Sequence, residues 1–443
     1  MDLDTRMRNV AVVGAAGKMG SGISLLLALE QTWRALEDPG ATFVLNLIDL
    51  DDRALQDLVR YLRDQAAKDA EKQINRLRGL FRHRADLVEN QEMVQAFVFE
   101  VIARLRTGRT LALAQDALLV FEAAFEREDL KTALYTELAD LCPPEAWFLS
   151  NTSSIPLQAL AEACGIPGRL IGFHFYNPPA VQKLVELIEP RGCAPELARL
   201  AEELARALRK RTVPSADVAG FIGNGHFIRD GLYAIATVER LAPVHGFVPA
   251  LHMVERVSRD WLLRPMGIFQ LMDYVGLDVF QLILRVMAGH LDPALRSGLI
   301  DRFMGLGVKG GQAPGGAQKP GFLTYVKGRP AGIYDPDTGA YADLDAPWAR
   351  EAEARLGPHP DPGLTWKALH QDPGRSAKLA AYFLILQDLD TPGGSMARDH
   401  FRASRDIGLG LVRQGVARSA EDVNEVLKLG FFHLYGPISD WLT

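Results

Sequence analysis

Cysteine is scarce in this chain of 443 residues, which contains three cysteines and no CxxC pair. Three such residues cannot build a disulfide framework, and their spacing is not that of metal ligands, so we expect no metal site. We interpret Cys142, Cys164 and Cys193 as small buried hydrophobic residues of a protein in a reducing compartment. The location expected from this interpretation is the cytoplasm.

Long apolar runs and basic runs are also absent. Residues 23–29 form one of the longest apolar stretches, far short of the ~20 residues that a membrane-spanning helix needs. The first residues lack the basic-then-apolar order of a signal peptide. Lys and Arg number 49 against 55 Asp and Glu, which gives a net charge of −6 without a basic stripe to follow a phosphate backbone. We therefore expect neither a nucleic-acid partner nor a membrane partner.

The first half of the chain alternates short apolar runs with longer amphipathic stretches. Strands are predicted at residues 10–13, 43–48, 118–121, 147–149, 170–174 and 212–214. Strands that alternate with helices favour a parallel sheet with helices on both faces, a Rossmann-like α/β fold. Residues 53–106 interrupt this order because they are charged, have helical spacing and contain no strand-like run. They predict a helical hairpin inserted into the α/β domain and projecting from it.

After residue 218 the strand signal nearly disappears, which predicts an all-α C-terminal region. Helices are predicted over residues 221–241, 251–263 and 267–287, and again from 376 to the end. Residues 305–345 are rich in Gly and Pro and predict a loop with a hairpin at 325–334, and a second loop is predicted at 361–373. We divide the chain into domains at residues 1–217, 218–300 and 301–443.

A faint internal echo is present in the second half. The segment RPMGIFQLMDY resembles HLYGPISDW, with Gly267 and Gly436 at corresponding positions. A second, partial copy of the helical domain at the end of the chain would produce this similarity, and so would common helix–turn–helix geometry. Such a copy allows two assemblies, a homodimer or a monomer in which the copy replaces a partner subunit.

A glycine-rich segment, GAAGKMGSGI, follows the first predicted strand directly and carries Gly14, Gly17 and Gly20. Between a strand and a helix, such glycines allow a tight turn, close approach of the backbone to a pyrophosphate, and packing of the helix on the strand. The next helix begins near Lys18 and Met19 and offers N–H groups to the phosphates. The segment therefore predicts a dinucleotide site.

Asp49 ends the second predicted strand, 29 residues after Gly20, whereas ~20 residues are usual. A longer helix and a Pro-Gly break accommodate the difference. A carboxylate at this place accepts hydrogen bonds from the adenosine ribose hydroxyls and repels a 2′-phosphate. The sequence therefore favours NAD over NADP.

Five further segments carry a resemblance to a known family. They are FEAAFEREDLK, SNTSSIPLQAL, GFHFYNPPAVQKLVELI, DVAGFIGN and RPMGIFQLMDYVGLD. Together with the glycine loop, and in the same order along the chain, they resemble the L-3-hydroxyacyl-CoA dehydrogenase family. The resemblance implies NAD-dependent oxidation of (S)-3-hydroxyacyl-CoA to 3-oxoacyl-CoA, and the reverse reaction, in fatty acid β-oxidation.

The resemblance also implies the catalytic residues. His174 matches the catalytic histidine and Glu186 its partner, while Ser153 and Asn224 match the polar groups around the reacting oxygen. Imidazole titrates near neutral pH and suits proton transfer in both directions, and a glutamate on its other nitrogen would fix the tautomer. A hydroxyl and an amide can bind the substrate oxygen as alcohol and as carbonyl.

Residues around the nicotinamide half of NAD follow from the same alignment. They are Ala123, Glu126, Lys131, Asn151 and Asn177. A family lysine that meets the CoA moiety corresponds to Lys72, but no motif anchors the alignment there, and an exposed charged helix face is the favoured interpretation.

Three departures from the family pattern keep alternatives open. Ala15 stands where the glycine loop of the family begins with glycine, and Gln182 stands where many members have methionine. The chain also continues well beyond a single helical domain, to residue 443. The alternatives are an NAD-dependent dehydrogenase of a free hydroxy acid, similar to the gulonate dehydrogenases, and a relative that binds NAD without catalysis.

Overall fold

The computed structural model describes residues 1–313 and 316–442. The chain forms two compact units, Met1–Asp217 and Val218–Thr443. The first unit contains a sheet of eight strands covered by helices, and the second unit is rich in helices.

The sheet of the N-terminal unit has the strand order β3-β2-β1-β4-β5-β6-β7-β8. Its strands are β1 (Asn9–Val13), β2 (Val44–Ile48), β3 (Leu105–Gly108), β4 (Leu119–Glu122), β5 (Trp147–Ser150), β6 (Leu170–Phe175), β7 (Leu184–Glu189) and β8 (Arg211–Ala216). Strands β4, β5 and β6 are buried along their whole length, as expected when helices cover both faces of a sheet. The Rossmann-like domain predicted from the sequence is confirmed.

Two strands, β3 and β7, were absent from the sequence prediction, and β7 changes the topology. The sequence predicted a parallel sheet, but β7 runs antiparallel to β6. The connection between them is only residues 176–183, whereas a parallel crossover needs a dozen residues or more, so the chain has to return antiparallel. Strand β3 is a short polar edge strand, LRTG, without an apolar run to reveal it.

The helices of this unit begin and end at defined residues. They are α1 (Leu3–Met7), α2 (Lys18–Glu37), α3 (Asp52–Lys72), α4 (Ile74–Leu80), α5 (Asn90–Ala103), α6 (Glu128–Leu141), α7 (Leu157–Ala163) and α8 (Pro195–Ala207). A single 3₁₀ turn, Leu111–Ala114, precedes β4.

Helices α3, α4 and α5 form the predicted helical hairpin, but the hairpin packs against the domain as well as extending from it. Leu62 and Ala66 of α3 and Phe97 of α5 are fully buried in the core of the unit. The Phe97 ring lies 4.6 Å from the Trp33 ring of α2, and the guanidinium of Arg76 lies 4.2 Å above the same indole. The amphipathic period of the sequence predicted these helices. Their buried apolar residues form the surface that packs the hairpin against α2.

The C-terminal unit is helix-rich, as predicted, and also contains a small sheet, so it is not all-α. Its elements are α9 (Gly223–His245), α10 (Phe247–Arg256), α11 (Ile268–Val275), α12 (Leu277–His290), α13 (Gly298–Gly305), β9 (Leu323–Val326), β10 (Arg329–Asp335), β11 (Ala340–Asp343), α14 (Pro347–Leu356), α15 (Trp366–Leu369), α16 (Arg375–Asp388), α17 (Pro392–Arg413) and α18 (Ala420–Gly430). One π turn, Val257–Trp261, extends α10.

Glycines divide helices that the sequence predicted as continuous. Gly276, with φ of 107°, separates α11 from α12, where one helix was expected over 267–287. Residues other than glycine rarely adopt this φ, and it is not helical, so the helix stops at Gly276. The apolar period of the sequence nevertheless continues through this position.

The Gly- and Pro-rich loop contains the predicted hairpin. Strands β9 and β10 pair antiparallel around Lys327 and Gly328, and β11 adds a third strand that the sequence did not reveal. Residues 314 and 315 of this loop lie outside the described residues. The second predicted loop, 361–373, includes the single-turn helix α15.

The echo between Gly267 and Gly436 corresponds to a shared contact, although no helix follows Gly436 in the described residues 431–442. The Glu255 carboxylate accepts from Phe269 N–H at 2.9 Å, and the Asn424 amide oxygen accepts from Ile438 N–H at 3.0 Å. A Cβ on Gly267 would lie 2.2 Å from the Glu255 carboxyl carbon, and one on Gly436 would lie 2.1 Å from the Asn424 amide carbon. Each glycine therefore follows, by twelve residues, the polar side chain that it packs against.

We expect Phe97→Ala to destabilise the N-terminal unit by about 3–5 kcal/mol, because a fully buried ring that joins α5 to α2 is lost. The measurement is urea or thermal unfolding followed by far-UV circular dichroism. Phe99→Ala is the matched control, since Phe99 lies on the same helix with 71% of its surface exposed and should change stability by no more than about 0.5 kcal/mol. Equal destabilisation by the two variants would contradict the packing of the hairpin on α2.

Candidate active site

The glycine loop forms a cradle at the carboxyl end of β1. Gly14 has φ of 76°, and a Cβ there would lie 2.6 Å from the carbonyl oxygen of Ala123. A Cβ on Gly20 would lie 1.9 Å from the carbonyl oxygen of Gly14, so these two places exclude any side chain. Helix α2 begins at Lys18, and its N-cap, Gly17, has no side chain that could cap the first N–H groups. These groups are therefore suited to a diphosphate.

Asp49 lies beside this cradle. Its Oδ2 accepts a hydrogen bond from Ala16 N–H at 2.9 Å, and Ile48 O accepts from Gly14 N–H at 2.9 Å. The carboxylate and the loop thus meet at the carboxyl ends of adjacent parallel strands, β1 and β2. Lys18 and Met19 occupy the first turn of α2 with exposed and half-buried side chains. The residues present fit a dinucleotide with a free ribose 2′-hydroxyl.

A buried ion-pair network lies at the carboxyl ends of β4 and β5. Lys131 on α6 is 1% exposed, and its Nζ lies 2.5 Å from Glu122 and 3.5 Å from Glu126. Tyr135 and Ser150 donate to the other oxygen of Glu122, at 3.1 and 2.7 Å. Burial alone would lower the pKa of Lys131, but the two carboxylates outweigh it and raise that pKa. Lys131 is therefore a structural cation that holds both glutamates in place.

Glu126 organises the turn that contains Ser153. Its Oε1 accepts from the backbone N–H groups of Ser153 and Ser154 at 2.8 and 2.9 Å, and from the hydroxyls of Thr152, Ser153 and Ser154. Burial would raise the pKa of Glu126, but Lys131 and these donors lower it, so the carboxylate remains charged. Lys131 therefore helps to position Ser153, because it keeps charged the Glu126 carboxylate that binds the Ser153 N–H group.

His174 and Glu186 face each other across the only antiparallel pair of the eight-stranded sheet, within the fully described N-terminal unit. His174 is 6% exposed and Glu186 is fully buried. Nδ1 of the imidazole lies 3.1 Å from Oε2 of the carboxylate. A carboxylate acceptor holds the proton on Nδ1, which leaves Nε2 as the nitrogen that can exchange a proton with a ligand.

Asn151 and Asn177 flank this pair at the strand ends. The side-chain oxygen of Asn151 accepts from Phe175 N–H at 2.9 Å and joins the end of β5 to the end of β6. Asn177 follows β6 and is half-buried. Ala123 follows β4, and its N–H donates to Val13 O at 2.9 Å.

Two further residues singled out from the sequence lie on helices. Lys72 is the last residue of α3, and its side chain is exposed, in agreement with the interpretation of a solvated helix face. Asn224 is the second residue of α9, in the C-terminal unit.

Three side chains of the site were not identified from the sequence. Glu122 ends an otherwise apolar strand, which is the signal that could have revealed it. Tyr176 donates to Glu186 Oε2 at 2.6 Å, and nothing in its sequence position distinguishes it from the neighbouring aromatic residues. Lys210 donates to the carbonyls of Pro179 and Gln182 at 2.5 and 2.7 Å, and burial lowers its pKa to about 8. It fixes the connection between β6 and β7.

Comparison with known sequences identifies the family. The 3-hydroxyacyl-CoA dehydrogenase NAD-binding domain matches residues 9–218, and the C-terminal domain of the same family matches residues 220–319. The chain belongs to the 3-hydroxyacyl-CoA dehydrogenase family. Its N-terminal unit is the NAD-binding domain, and NAD is its cofactor.

Curated relatives carry consistent names. A probable 3-hydroxybutyryl-CoA dehydrogenase of Bacillus subtilis is 30% identical over 283 residues, which cover 63% of this chain and 85% of that protein. A 3-hydroxybutyryl-CoA dehydrogenase of Mycobacterium tuberculosis is 32% identical over 62% of this chain and 85% of its own length. The chain is an NAD-dependent oxidoreductase of this family.

Solved structures extend the similarity of fold to the C-terminal residues. The 3-hydroxybutyryl-CoA dehydrogenase of Escherichia coli K12 is 22% identical, with a TM-score of 0.64 over 98% of this chain and 90% of that one. The (S)-3-hydroxybutyryl-CoA dehydrogenase of Ralstonia eutropha is 24% identical, with a TM-score of 0.53 over 69% of this chain and 95% of its own. Among the described residues, no helix combines the length and the hydropathy needed to span a membrane.

We expect NAD to be preferred over NADP by more than about tenfold in kcat/KM, a difference that corresponds to ~1.4 kcal/mol. Asp49→Ser should reduce this preference, because the variant removes the charge that repels a 2′-phosphate. Asp51→Ser is the matched control. Asp51 caps α3 through Arg53 and Ala54 N–H, a role that serine also performs, so the preference should be unchanged. Equal kcat/KM for the two cofactors in the unmodified enzyme would contradict the assignment of Asp49.

Proposed function

We propose that this enzyme oxidises (S)-3-hydroxyacyl-CoA to 3-oxoacyl-CoA, and catalyses the reverse reaction, with His174 and Glu186 as its proton-transfer pair. The observation that carries the proposal is the buried contact between His174 Nδ1 and Glu186 Oε2 at 3.1 Å, at the carboxyl end of β6. The location agrees with the rule that open α/β sheets bind their ligands at the carboxyl ends of the strands.

The roles of the protein groups follow from this geometry. In alcohol oxidation, Nε2 of His174 takes the hydroxyl proton, and Glu186 stabilises the imidazolium through Nδ1. NAD, held by the glycine loop and Asp49, would supply the acceptor for the hydride of the substrate carbon. For Ser153 and Asn224 we retain the role that the family resemblance implies, hydrogen bonds to the substrate oxygen. The buried Glu122, Lys131 and Glu126 network supports the turn on which Ser153 lies.

The cofactor residues proposed are those of the strand ends and the glycine loop. They are Gly14, Gly17, Lys18, Met19, Gly20, Asp49, Ala123, Glu126, Asn151 and Asn177, with the buried Lys131 acting through its ion pairs with Glu122 and Glu126 and not by contact with the cofactor. The cradle without side chains at Gly14 and Gly20 and the carboxylate of Asp49 support this assignment most directly.

A CoA thioester is the substrate class that the names of the relatives support. The Bacillus subtilis and Mycobacterium tuberculosis proteins are named for 3-hydroxybutyryl-CoA, and a relative from Escherichia coli, 28% identical over 72% of this chain, for 3-hydroxyadipyl-CoA. A relative from Cucumis sativus is named a glyoxysomal fatty acid β-oxidation multifunctional protein, which supports a role in fatty acid metabolism. A free hydroxy acid is the second candidate substrate, because Gln182 and the long C-terminal extension depart from the family pattern.

We further propose a cytoplasmic location and a monomer in which the end of the chain is a partial copy of the helical domain. Cys142, Cys164 and Cys193 form no disulfide among themselves, and burial raises the pKa of Cys142 and Cys193 to about 11, which suits unreactive thiols. The matching contacts at Gly267 and Gly436 support the copy, although a helix follows only Gly267 among the described residues, and α17 packs along α9. A homodimer is the alternative assembly, and sedimentation distinguishes the two.

We expect His174→Gln to lose at least about 10²-fold in kcat for reduction of acetoacetyl-CoA, the usual contribution of positioned proton transfer, while NADH still binds. In the unmodified enzyme, kcat/KM for alcohol oxidation should rise with pH, because neutral imidazole is needed, and kcat/KM for carbonyl reduction should fall over the same range. Glu186→Gln removes the charge that stabilises imidazolium and should move both midpoints to lower pH.

The controls are NADH fluorescence for cofactor binding and circular dichroism for folding. A folded His174→Gln enzyme with kcat within tenfold of the unmodified enzyme would contradict the proposal. Turnover of acetoacetate at the rate of acetoacetyl-CoA would instead favour the free hydroxy acid as substrate class.

A further inference from the structure

Tyr176 contacts the oxygen of Glu186 that His174 also contacts. The Tyr176 hydroxyl donates to Oε2 of Glu186 at 2.6 Å, and Nδ1 of His174 lies 3.1 Å from the same atom. The imidazole and phenol rings lie side by side, with centroids 4.8 Å apart and planes at 42°. Both rings are more than nine-tenths buried, and the carboxylate is fully buried.

Two donors on one carboxylate oxygen compete for its negative charge. A hydrogen bond from a neutral donor stabilises a carboxylate and draws charge toward itself, most effectively where water is excluded. The bond from Tyr176 therefore leaves less charge on Oε2 to stabilise an imidazolium at His174.

Toward Glu186 the tyrosine hydroxyl acts as a donor. Burial raises the pKa of Tyr176 well above its ordinary value, and the charge of Glu186 raises it further. The phenol consequently keeps its proton over the whole range in which an imidazole titrates.

Other charged groups lie on the elements packed against the pair, among them the buried Lys210, which binds the connection between β6 and β7. Helix α8 packs on the sheet face of Phe173 and Leu187, opposite to the face of His174 and Glu186. Its charged residues are Glu196, Arg199, Glu202, Glu203 and Arg206.

Within strands β6, β7 and β8 the remaining titratable residues are Glu189, at the end of β7, and Arg211, at the start of β8. Leu157 of α7 covers one face of the sheet. On that face the Asp217 carboxylate accepts hydrogen bonds from the N–H groups of Leu157 and Gln158, at 2.7 Å each. Glu162 is the charged residue of α7 itself.

We propose that Tyr176 is a positioning residue. Its hydroxyl donates to the Glu186 oxygen that His174 also contacts, and this bond sets the strength of the His174–Glu186 interaction. This inference rests on the proposed function, because it assumes that His174 transfers the proton. As a consequence, the midpoint of the pH profile of kcat/KM is lower with the tyrosine hydroxyl present than it would be with the Glu186 carboxylate alone.

The test is Tyr176→Phe, which removes one oxygen and retains the ring beside His174. The midpoints of the pH profiles of kcat/KM, in alcohol oxidation and in carbonyl reduction, should both rise by about 0.5 unit or more. A midpoint within about 0.2 unit of that of the unmodified enzyme, or a downward shift, would overturn the proposal.

Tyr135→Phe is the matched control for the midpoint. Tyr135 is fully buried in the same unit and donates to a buried glutamate, Glu122, at 3.1 Å, but not to Glu186. It should leave the midpoint unchanged even if stability or KM for NAD alters. An equal shift in both variants would show a general effect of removing a buried hydroxyl and would also overturn the proposal.

A second measurement does not depend on the folding of the phenylalanine variant. Replacing Tyr176 with 3-fluorotyrosine makes the hydroxyl more acidic and a stronger donor, so the midpoint should move to lower pH. Movement in the other direction, or none, contradicts the inference. If His174→Gln loses activity but neither Tyr176 variant moves the midpoint, only the proposed role of Tyr176 is rejected. An active His174→Gln enzyme would reject the proposed function itself.

Discussion

The site depends on one pairing, the antiparallel register between β6 and β7 that sets His174 opposite Glu186. Since residues directly opposite in such a pair lie close together, the register alone brings an imidazole and a carboxylate into contact. The connection of residues 176–183 is too short for a crossover, so the direction of β7 follows from chain length. Lys210 then holds this connection through the carbonyls of Pro179 and Gln182.

A second buried network lies at the carboxyl ends of β4 and β5. Lys131 pairs with both Glu122 and Glu126, and Glu126 in turn accepts hydrogen bonds from residues 152–154. Removing one partner of such a network would leave an uncompensated buried charge, which is far more costly than losing a surface ion pair. The turn that carries Ser153 is therefore held by electrostatics, while its backbone has no regular secondary structure.

Much of this arrangement could be predicted from the sequence, because the signals were local. Apolar runs and the glycine loop identified the α/β domain that binds NAD, while the role of Asp49 stays a prediction. A run as short as LVELIE cannot be assigned to a strand or a helix from its apolar pattern alone, so β7 was not predicted. Glu122 was not predicted because its partners Lys131, Tyr135 and Ser150 lie nine or more residues away in the sequence. Gly276 stopped a helix whose apolar period continued through it. For β7 and Glu122 the missing information was a contact between segments, whereas at Gly276 it was the backbone conformation of one residue.

The measurement that tests the central claim most directly is a double-mutant cycle in kcat, with His174→Gln, Glu186→Gln and the combined variant, under conditions where NADH and acetoacetyl-CoA saturate. If the two side chains act as one unit, Glu186→Gln should slow the unmodified enzyme markedly but change the His174→Gln enzyme by less than about threefold, since residues in one network are not additive. Losses that multiply, so that Glu186→Gln costs the same factor in both backgrounds, would contradict the account and assign the two residues independent roles.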